Sequence, residues 1–184
     1  MNAITTQADH WCRKVMNDAT QKIVKDLKPE KLEVLEISGN AWHKFGFKSY
    51  DLVNYPDFDI CTNFLNKKYD LIIAEQVFEH IRRPIPAAKN VLEMLKDGGS
   101  FIITTPFLLR YHPSPLDLWR WTPDGLRVFL EESGFSVIES TGWGNKECVQ
   151  ANLESWADYN PSTHSLHNDD KFPVVVWAHA KKLR

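Results

Sequence analysis

The stretch Tyr69–Phe107, YDLIIAEQVFEHIRRPIPAAKNVLEMLKDGGSFIITTPF, decides how this chain folds. It contains two apolar runs, Leu71 to Ala74 and Phe101 to Thr105, each nearly continuous rather than alternating. Strands of that kind are covered on both faces, as in parallel sheets. Between them, Pro84 and Pro86 can start a helix whose Ala88, Val91, Leu92 and Leu95 share a face, and Gly98-Gly99 can stop it. The stretch therefore reads as a βαβ unit.

Working outward, Leu32 to Ile37 is another continuous apolar run, preceded by helical spacing of Ile4, Ala8, Trp11, Cys12, Val15, Met16, Ala19, Ile23 and Leu27. Lys28-Pro29 ends that N-terminal helix. On the other side, Thr122 is a good N-cap with Pro123 at the first helical position, and a helix through Leu126, Phe129 and Leu130 closes at Gly134. Phe135 to Glu139 and residues 173 to 180, PVVVWAHA, read as strands. Residues 142–171 read as irregular apart from a short helix through Val149, Leu153 and Trp156. Alternating strands and helices predict an α/β fold with a doubly wound, mostly parallel sheet, which binds ligands beyond the carboxyl ends of its strands. The loops to inspect are Ser38–Phe47, Asn54–Thr62, Glu75–Pro84 and Pro106–Thr122.

Composition narrows the function. With 184 residues, 43% hydrophobic and 25% charged, the chain suits one globular domain, 1–184, and excludes disordered, collagen-like and coiled-coil classes. The parts expected are a cap helix over 1–28, a core over 32–140, and an irregular segment with the last strand over 142–184. Twenty-two basic against 24 acidic residues give a net charge of -2, which argues against nucleic acid as partner, since phosphate neutralisation needs a concentrated cationic surface. No apolar run spans a bilayer, and MNAITTQADHWCRK lacks a signal-peptide core, so no membrane insertion and a cytoplasmic location are expected. Cys12, Cys61 and Cys148 form no CxxC pair and fit a reducing compartment.

The arrangement LEVLEISGN, YDLIIAEQVFEHI, LKDGGSFIITTPF and RWTPDGLRVFLEESGF resembles class I S-adenosylmethionine-dependent methyltransferases, especially their small-molecule and ubiquinone-type branch. The likeness covers roughly residues 32–140 and implies a Rossmann-like seven-stranded sheet whose last strand enters antiparallel. The stretch between Glu36 and Tyr69 is too short for the family's usual elements, so the region of the second and third strands must be abbreviated. The implied cofactor is S-adenosyl-L-methionine.

The resemblance also assigns residues. The family's acidic residue falls on Glu36 and its G-x-G-x-G glycines on Ser38, Asn40 and Trp42; only Gly39 is present, one place out of register, and Ser38, Gly39 and Asn40 could partly supply the turn that meets the cofactor. Trp42 stands where a glycine is usual and reads as a packing residue, a lid for the adenosyl pocket, or a broken motif. Asn54 replaces the carboxylate that usually holds the ribose; an amide still accepts one bond and donates another. Asp59-Ile60 matches the acidic-apolar pair that meets adenine, or is a turn after Pro56-Asp57. Glu75 and Gln76 lie where the methionine end of the cofactor passes.

His80 could remove a proton from an acceptor hydroxyl or amine, being mostly neutral at physiological pH, or Glu79-His80 could merely cap a loop. Ubiquinone-type relatives hold a metal with Glu-x-x-Glu-His; Gln76 replaces one carboxylate here, so no metal is expected. The segment PFLLRYHPSPLDLWRWT supplies the acceptor side: His112 as a second catalytic candidate, with Phe107, Asp117, Trp119, Arg120 and Trp121 as substrate-binding candidates. Arg120 could hold a substrate anion or pair with Asp117. His164 and His167 read as surface-loop residues.

The expected function is methyl transfer from S-adenosylmethionine to an oxygen or nitrogen of a small-molecule acceptor, with a homodimer compatible with the exposed tryptophans. The alternative is a non-catalytic relative kept as a binding or scaffold protein, suggested by the altered glycine loop and Asn54. The survival of Asp59, Glu75, His80 and His112 on successive strand-end loops favours the enzyme.

Overall fold

A six-stranded sheet organises the protein, of which the computed structural model describes residues 10–183. Strands β1 (Glu33–Ile37), β2 (Ser49–Val53), β3 (Tyr69–Glu75) and β4 (Leu95–Pro106) are parallel, and β5 (Ser136–Trp143) and β6 (Val175–Lys181) complete the order β2-β1-β3-β4-β6-β5. β6 alone runs against its neighbours, β4 and β5. The expected count of seven strands is thus corrected to six among the described residues. Residues 54–68 make only turns, because NYPDFDICTNFLNKK offers no continuous apolar run to bury in a sheet. Between β1 and β2 a single 3-10 turn, His43–Phe45, stands where a crossover helix would be expected.

Strand alternation sends side chains to two covered faces. Leu35 and Ile37 of β1, Ile72 and Ala74 of β3 and Phe101 and Ile103 of β4 pack with α2 (Pro84–Met94) and α3 (Pro123–Glu132) through Ala88, Val91, Leu126 and Leu130. On the other face Val34, Leu71, Ile73 and Ile102 meet Val24 of α1 (Trp11–Asp26), while Trp11, Cys12 and Met16 of that helix pack on Val175 and Trp177. Each such large side chain contributes roughly 1.5–3 kcal/mol by leaving water. Ile4 and Ala8, expected on the same helix, lie outside the described residues.

Helix boundaries follow local chemistry. Thr122 Oγ1 accepts from Gly125 N at 3.0 Å, and Pro123 begins α3 as its fixed φ allows. α2 stops at Met94 rather than at Gly98, because Leu95 already pairs with Tyr69 in the sheet. The short helix expected near Val149 is α4 (Lys146–Ala151), ending before Leu153 and Trp156. Among the described residues no helix is long and apolar enough to cross a membrane.

Candidate active site

The carboxyl ends of β1, β2, β3 and β4 put four loops along one rim. At the end of β1 the backbone turns sharply: Ser38 has φ 58° and Gly39 φ 100°. A Cβ on Gly39 would sit 2.9 Å from Glu36 Oε1, so glycine is required both by conformation and by space. Glu36 is 1% exposed and spends its carboxylate on the loop itself: Oε1 accepts from Ala41 N at 3.1 Å, and Oε2 from Trp42 N at 3.1 Å and Tyr50 Oη at 2.5 Å. Burial first, and then this bond, raise the Tyr50 hydroxyl well above its usual range. Glu36 therefore shapes the loop from beneath.

Asn54 is exposed at the end of β2, and its Oδ1 accepts from Gly39 N at 3.3 Å, joining the first two loops. Asp59 Oδ1 accepts from Cys61 N at 2.9 Å, the turn role considered from sequence, while the half-exposed residue stays on the rim. Ile60 is buried in the core on the α2 face. At the tip of β3, Glu75 Oε2 accepts from Trp42 Nε1 at 3.0 Å, and Oε1 lies 3.8 Å from Arg13 Nη1 of α1. Gln76, with φ 55°, turns its side chain to Thr104 Oγ1 at 3.1 Å. Trp42 itself is buried with Val24, Val34 and Leu71, which makes it a packing residue.

These residues fit an adenosyl cofactor. The exposed turn Gly39–Asn40 lacks a side chain at Gly39 and so allows a ligand close approach, with Gly39 N already bonded to Asn54 Oδ1 and Asn40 O to His43 Nδ1, and the carboxylate of Asp59 on the neighbouring loop can accept from a ligand amino or hydroxyl group. Arg13, which spacing on an N-terminal helix gave no reason to single out, joins the same rim through Glu75.

The acceptor side is built by the loop after β4 docking on the 3-10 turn Phe78–His80. Leu118 N and Trp119 N donate to Glu79 O at 2.8 and 3.3 Å, and Trp119 Nε1 donates to Ile81 O at 2.8 Å. This docking brings His80 and His112 together, ring centroids 5.4 Å apart. His80 Nδ1 donates to Leu116 O, and its Nε2 lies 3.6 Å from Glu79 Oε1. Asp117 Oδ2 accepts from His112 N at 2.9 Å and lies 3.2 Å from His112 Nδ1. The same Nδ1 also lies 3.2 Å from Arg120 Nη2, so it faces an acceptor and a donor at equal distance. Burial holds His112 below the usual imidazole value, outweighing the attraction of Asp117, so it stays neutral near pH 7.

Arg120 does not reach outward. It grips both oxygens of Asp117, with Nη2 at 2.6 Å from Oδ2, so the pairing considered from sequence is the one formed and both groups are spent on the loop. Burial pushes the Asp117 carboxyl up, but Arg120, the His112 amide and the nearby charges together hold it below its usual value. Trp119 and Trp121 stack at 5.9 Å; Trp121 packs on Phe129, and Phe107 joins the same core from its margin. An open hollow of about 380 Å³ is lined by Leu109, Tyr111, Asp117, Leu118, Trp119 and Arg120. Trp156, from the segment read as irregular, adds a wall: Arg110 lies 4.1 Å over its ring and His112 meets it edge-on at 5.8 Å. No spacing in the sequence announces that contact. One candidate ligand atom each from Glu79, His80 and His112 lies within 4.8 Å of the others, a cluster that could seat a cation. His164 stacks on Trp11 at 4.0 Å, away from that cluster.

Four parallel strands with a reversed strand at the penultimate position of the sheet match the fold of class I methyltransferases. The sequence matches the family described as "Methyltransferase domain" over residues 8–140, and the chain belongs to that family. It is a methyltransferase, and S-adenosylmethionine is its cofactor. No curated protein matches the sequence. Among solved structures, an S-adenosylmethionine-dependent methyltransferase from Mesorhizobium loti is similar at 13% identity and TM-score 0.62, covering 89% of this chain and 98% of that one. TehB from Haemophilus influenzae is similar at 14% identity and TM-score 0.55, covering 97% of this chain and 64% of that one. A Haloferax volcanii complex of the Trm112 methyltransferase activator with its partner matches at 12% identity and TM-score 0.53, covering 95% of each chain. At these identities the likeness is one of fold.

Proposed function

We propose that this enzyme methylates an oxygen or nitrogen of a small-molecule acceptor seated in the hollow beside His112. The observation that carries the reading is the meeting of His80 and His112 from separate strand-end loops, with His112 held through Nδ1 by Asp117 and Arg120. S-adenosylmethionine, when bound, supplies an electrophilic methyl carbon whose bond to sulfur breaks as the acceptor heteroatom bonds to it. The protein's part is alignment and proton removal. Ser38, Gly39, Asn40, Asn54, Asp59, Glu75 and Gln76 hold the cofactor; Leu118 and Trp119 offer apolar surface to the acceptor; His112 Nε2 takes the acceptor's proton. Asp117 keeps Nδ1–H pointed away, and Arg120 keeps Asp117 ionised and in place.

Isothermal calorimetry with S-adenosylhomocysteine, followed by methyl transfer to a panel of small hydroxyl and amine compounds, tests this. We expect binding in wild type, retained affinity in His112→Gln and turnover lowered about 10²-fold. Full turnover in that variant removes His112 from the reaction, and absence of binding at millimolar ligand rejects the cofactor site.

A further inference from the structure

Glu79 stands apart from the other buried carboxylates. Glu36 accepts three hydrogen bonds and Asp117 is gripped by Arg120, whereas Glu79 is 0% exposed and, among the described residues, neither of its carboxylate oxygens accepts one. A buried anion without donors is costly, and a fold keeps it where a proton or a cation neutralises it. Two imidazoles face this carboxylate. Oε1 lies 3.6 Å from His80 Nε2, and a ring nitrogen of His112 completes a trio of candidate ligand atoms within 4.8 Å of one another. Donors held about 2.1 Å from a tetrahedral ion stand about 3.4 Å apart, so the Glu79–His80 pair is already near that spacing. The far side of each ring is anchored as in a metal site: His80 Nδ1 bonds Leu116 O, and His112 Nδ1 lies 3.2 Å from Asp117 Oδ2. Arg120, at the same distance from His112 Nδ1, has its charge answered by both oxygens of Asp117. Both imidazole side chains are about one-fifth exposed, at 19% and 20%, so an ion can reach the trio from solvent with Glu79 as its floor.

We propose that Glu79, His80 and His112 form an inhibitory site for a divalent transition-metal ion of the zinc class, held by the Glu79 carboxylate and Nε2 of each ring. This set differs from the two carboxylates and one imidazole considered from sequence, because His112 of the loop after β4 supplies the third donor in place of a carboxylate at position 76. The difference sets the choice of ion: imidazole suits zinc-like ions, whereas magnesium and calcium take oxygen donors. Three protein donors leave a fourth position on such an ion open to water. His112 Nε2 is the atom to which the methyl-transfer reading assigns proton removal, so an ion held there takes the lone pair that turnover needs. The site stands on its own geometry; its effect on turnover rests on that reading.

The full chain, freed of metal by a chelator, is titrated with zinc chloride by calorimetry, without cofactor or acceptor. We expect one equivalent bound in the micromolar range or tighter, with no displacement by millimolar magnesium. Affinity should be at least about 10-fold weaker in Glu79→Gln and in His80→Gln, and unchanged in His167→Gln, a control on an exposed loop. Circular dichroism checks that each variant folds, and His80→Gln, on a partly exposed ring, carries the test if Glu79→Gln does not. Absence of binding at millimolar zinc, or equal affinity in wild type and a folded Glu79→Gln or His80→Gln, overturns the site. With cofactor and acceptor, saturating zinc should lower wild-type kcat by roughly 10²-fold, reversed by chelator, because it withdraws the general base. Glu79→Gln, with its basal turnover kept, should be far less inhibited at the same zinc concentration. Turnover unchanged or raised with zinc bound overturns the inhibition and takes proton removal away from His112. Zinc bound by wild type and lost in the variants, in a protein that methylates nothing, rejects the methyl-transfer reading and leaves the metal site established.

Discussion

Glu36→Gln tests whether the buried carboxylate at the end of β1 organises the cofactor loop. Glu36 receives three hydrogen bonds, from Ala41 N, Trp42 N and Tyr50 Oη. Bonds to a charged acceptor contribute about 1.5–3 kcal/mol each, while bonds to a neutral one contribute about 1 kcal/mol. A glutamine can keep its oxygen toward Trp42 N and Tyr50, but its NH2 then faces Ala41 N–H, donor against donor. The expected loss is about 2–4 kcal/mol, which for a chain of this size corresponds to a fall of roughly 4–16 °C in Tm. Urea unfolding followed by circular dichroism measures it, with the midpoint falling and the slope unchanged. Tyr50→Phe removes one of the three bonds, and the double variant should be less destabilised than the sum, because both changes act on one network. The same Glu36→Gln variant should bind S-adenosylhomocysteine more weakly, since Gly39 closes directly over Glu36 Oε1. A midpoint within about 0.5 kcal/mol of wild type would refute the reasoning, because it would show that the loop holds its shape without the charge.

Asp117→Asn should lower turnover roughly 10²-fold with little change in cofactor affinity, since the amide no longer fixes the His112 tautomer or holds Arg120; equal kcat in steady-state assays removes that pairing from the mechanism. Glu79 gives a pH dependence of stability whose sign is set by its raised carboxyl: the folded protein binds the proton more tightly, so the stabilisation is full at acid pH and is lost as pH rises from about 4.5 to about 7. The difference between wild type and Glu79→Gln in urea midpoints across that window should amount to something on the order of 3 kcal/mol; the lowered values of His112 and His179, which act in the opposite direction, cancel in the comparison. A constant difference across the window excludes the buried proton. Burial raises Cys12 to about 11 and Cys148 to about 12, whereas Cys61 is half-buried, so iodoacetamide should label Cys61 first and the other two only on unfolding, as read by peptide mass spectrometry.

Much of the fold was legible because its signals are local. Continuous apolar runs at Leu71–Ala74 and Phe101–Thr105 announced strands covered on both faces, and Thr122-Pro123 announced the start of α3, since each depends on neighbours within a few residues. The shortness between Glu36 and Tyr69 foretold abbreviated elements there, but a seven-stranded sheet was still expected and six strands are present among the described residues. Less of the site was legible. The residue types of His80 and His112 and their strand-end positions pointed to proton transfer, but Glu79 read equally as a loop cap.

The chain order by itself determined an α/β sheet, its α2 and α3 crossings and the loops that carry chemistry, because side-chain periodicity and caps act over a turn or a strand. Only the tertiary structure decided what those loops do to one another. Docking of the loop after β4 on the turn after β3 buried Glu79, joined His80 to His112 and closed Arg120 on Asp117. Packing beside Val24 of α1 and Val34 and Leu71 of the sheet committed Trp42 to the core, and the segment after α4 brought Trp156 to His112. Such pairings depend on where distant backbone segments come to rest, and burial there sets which polar groups are spent on the fold and which are left for chemistry.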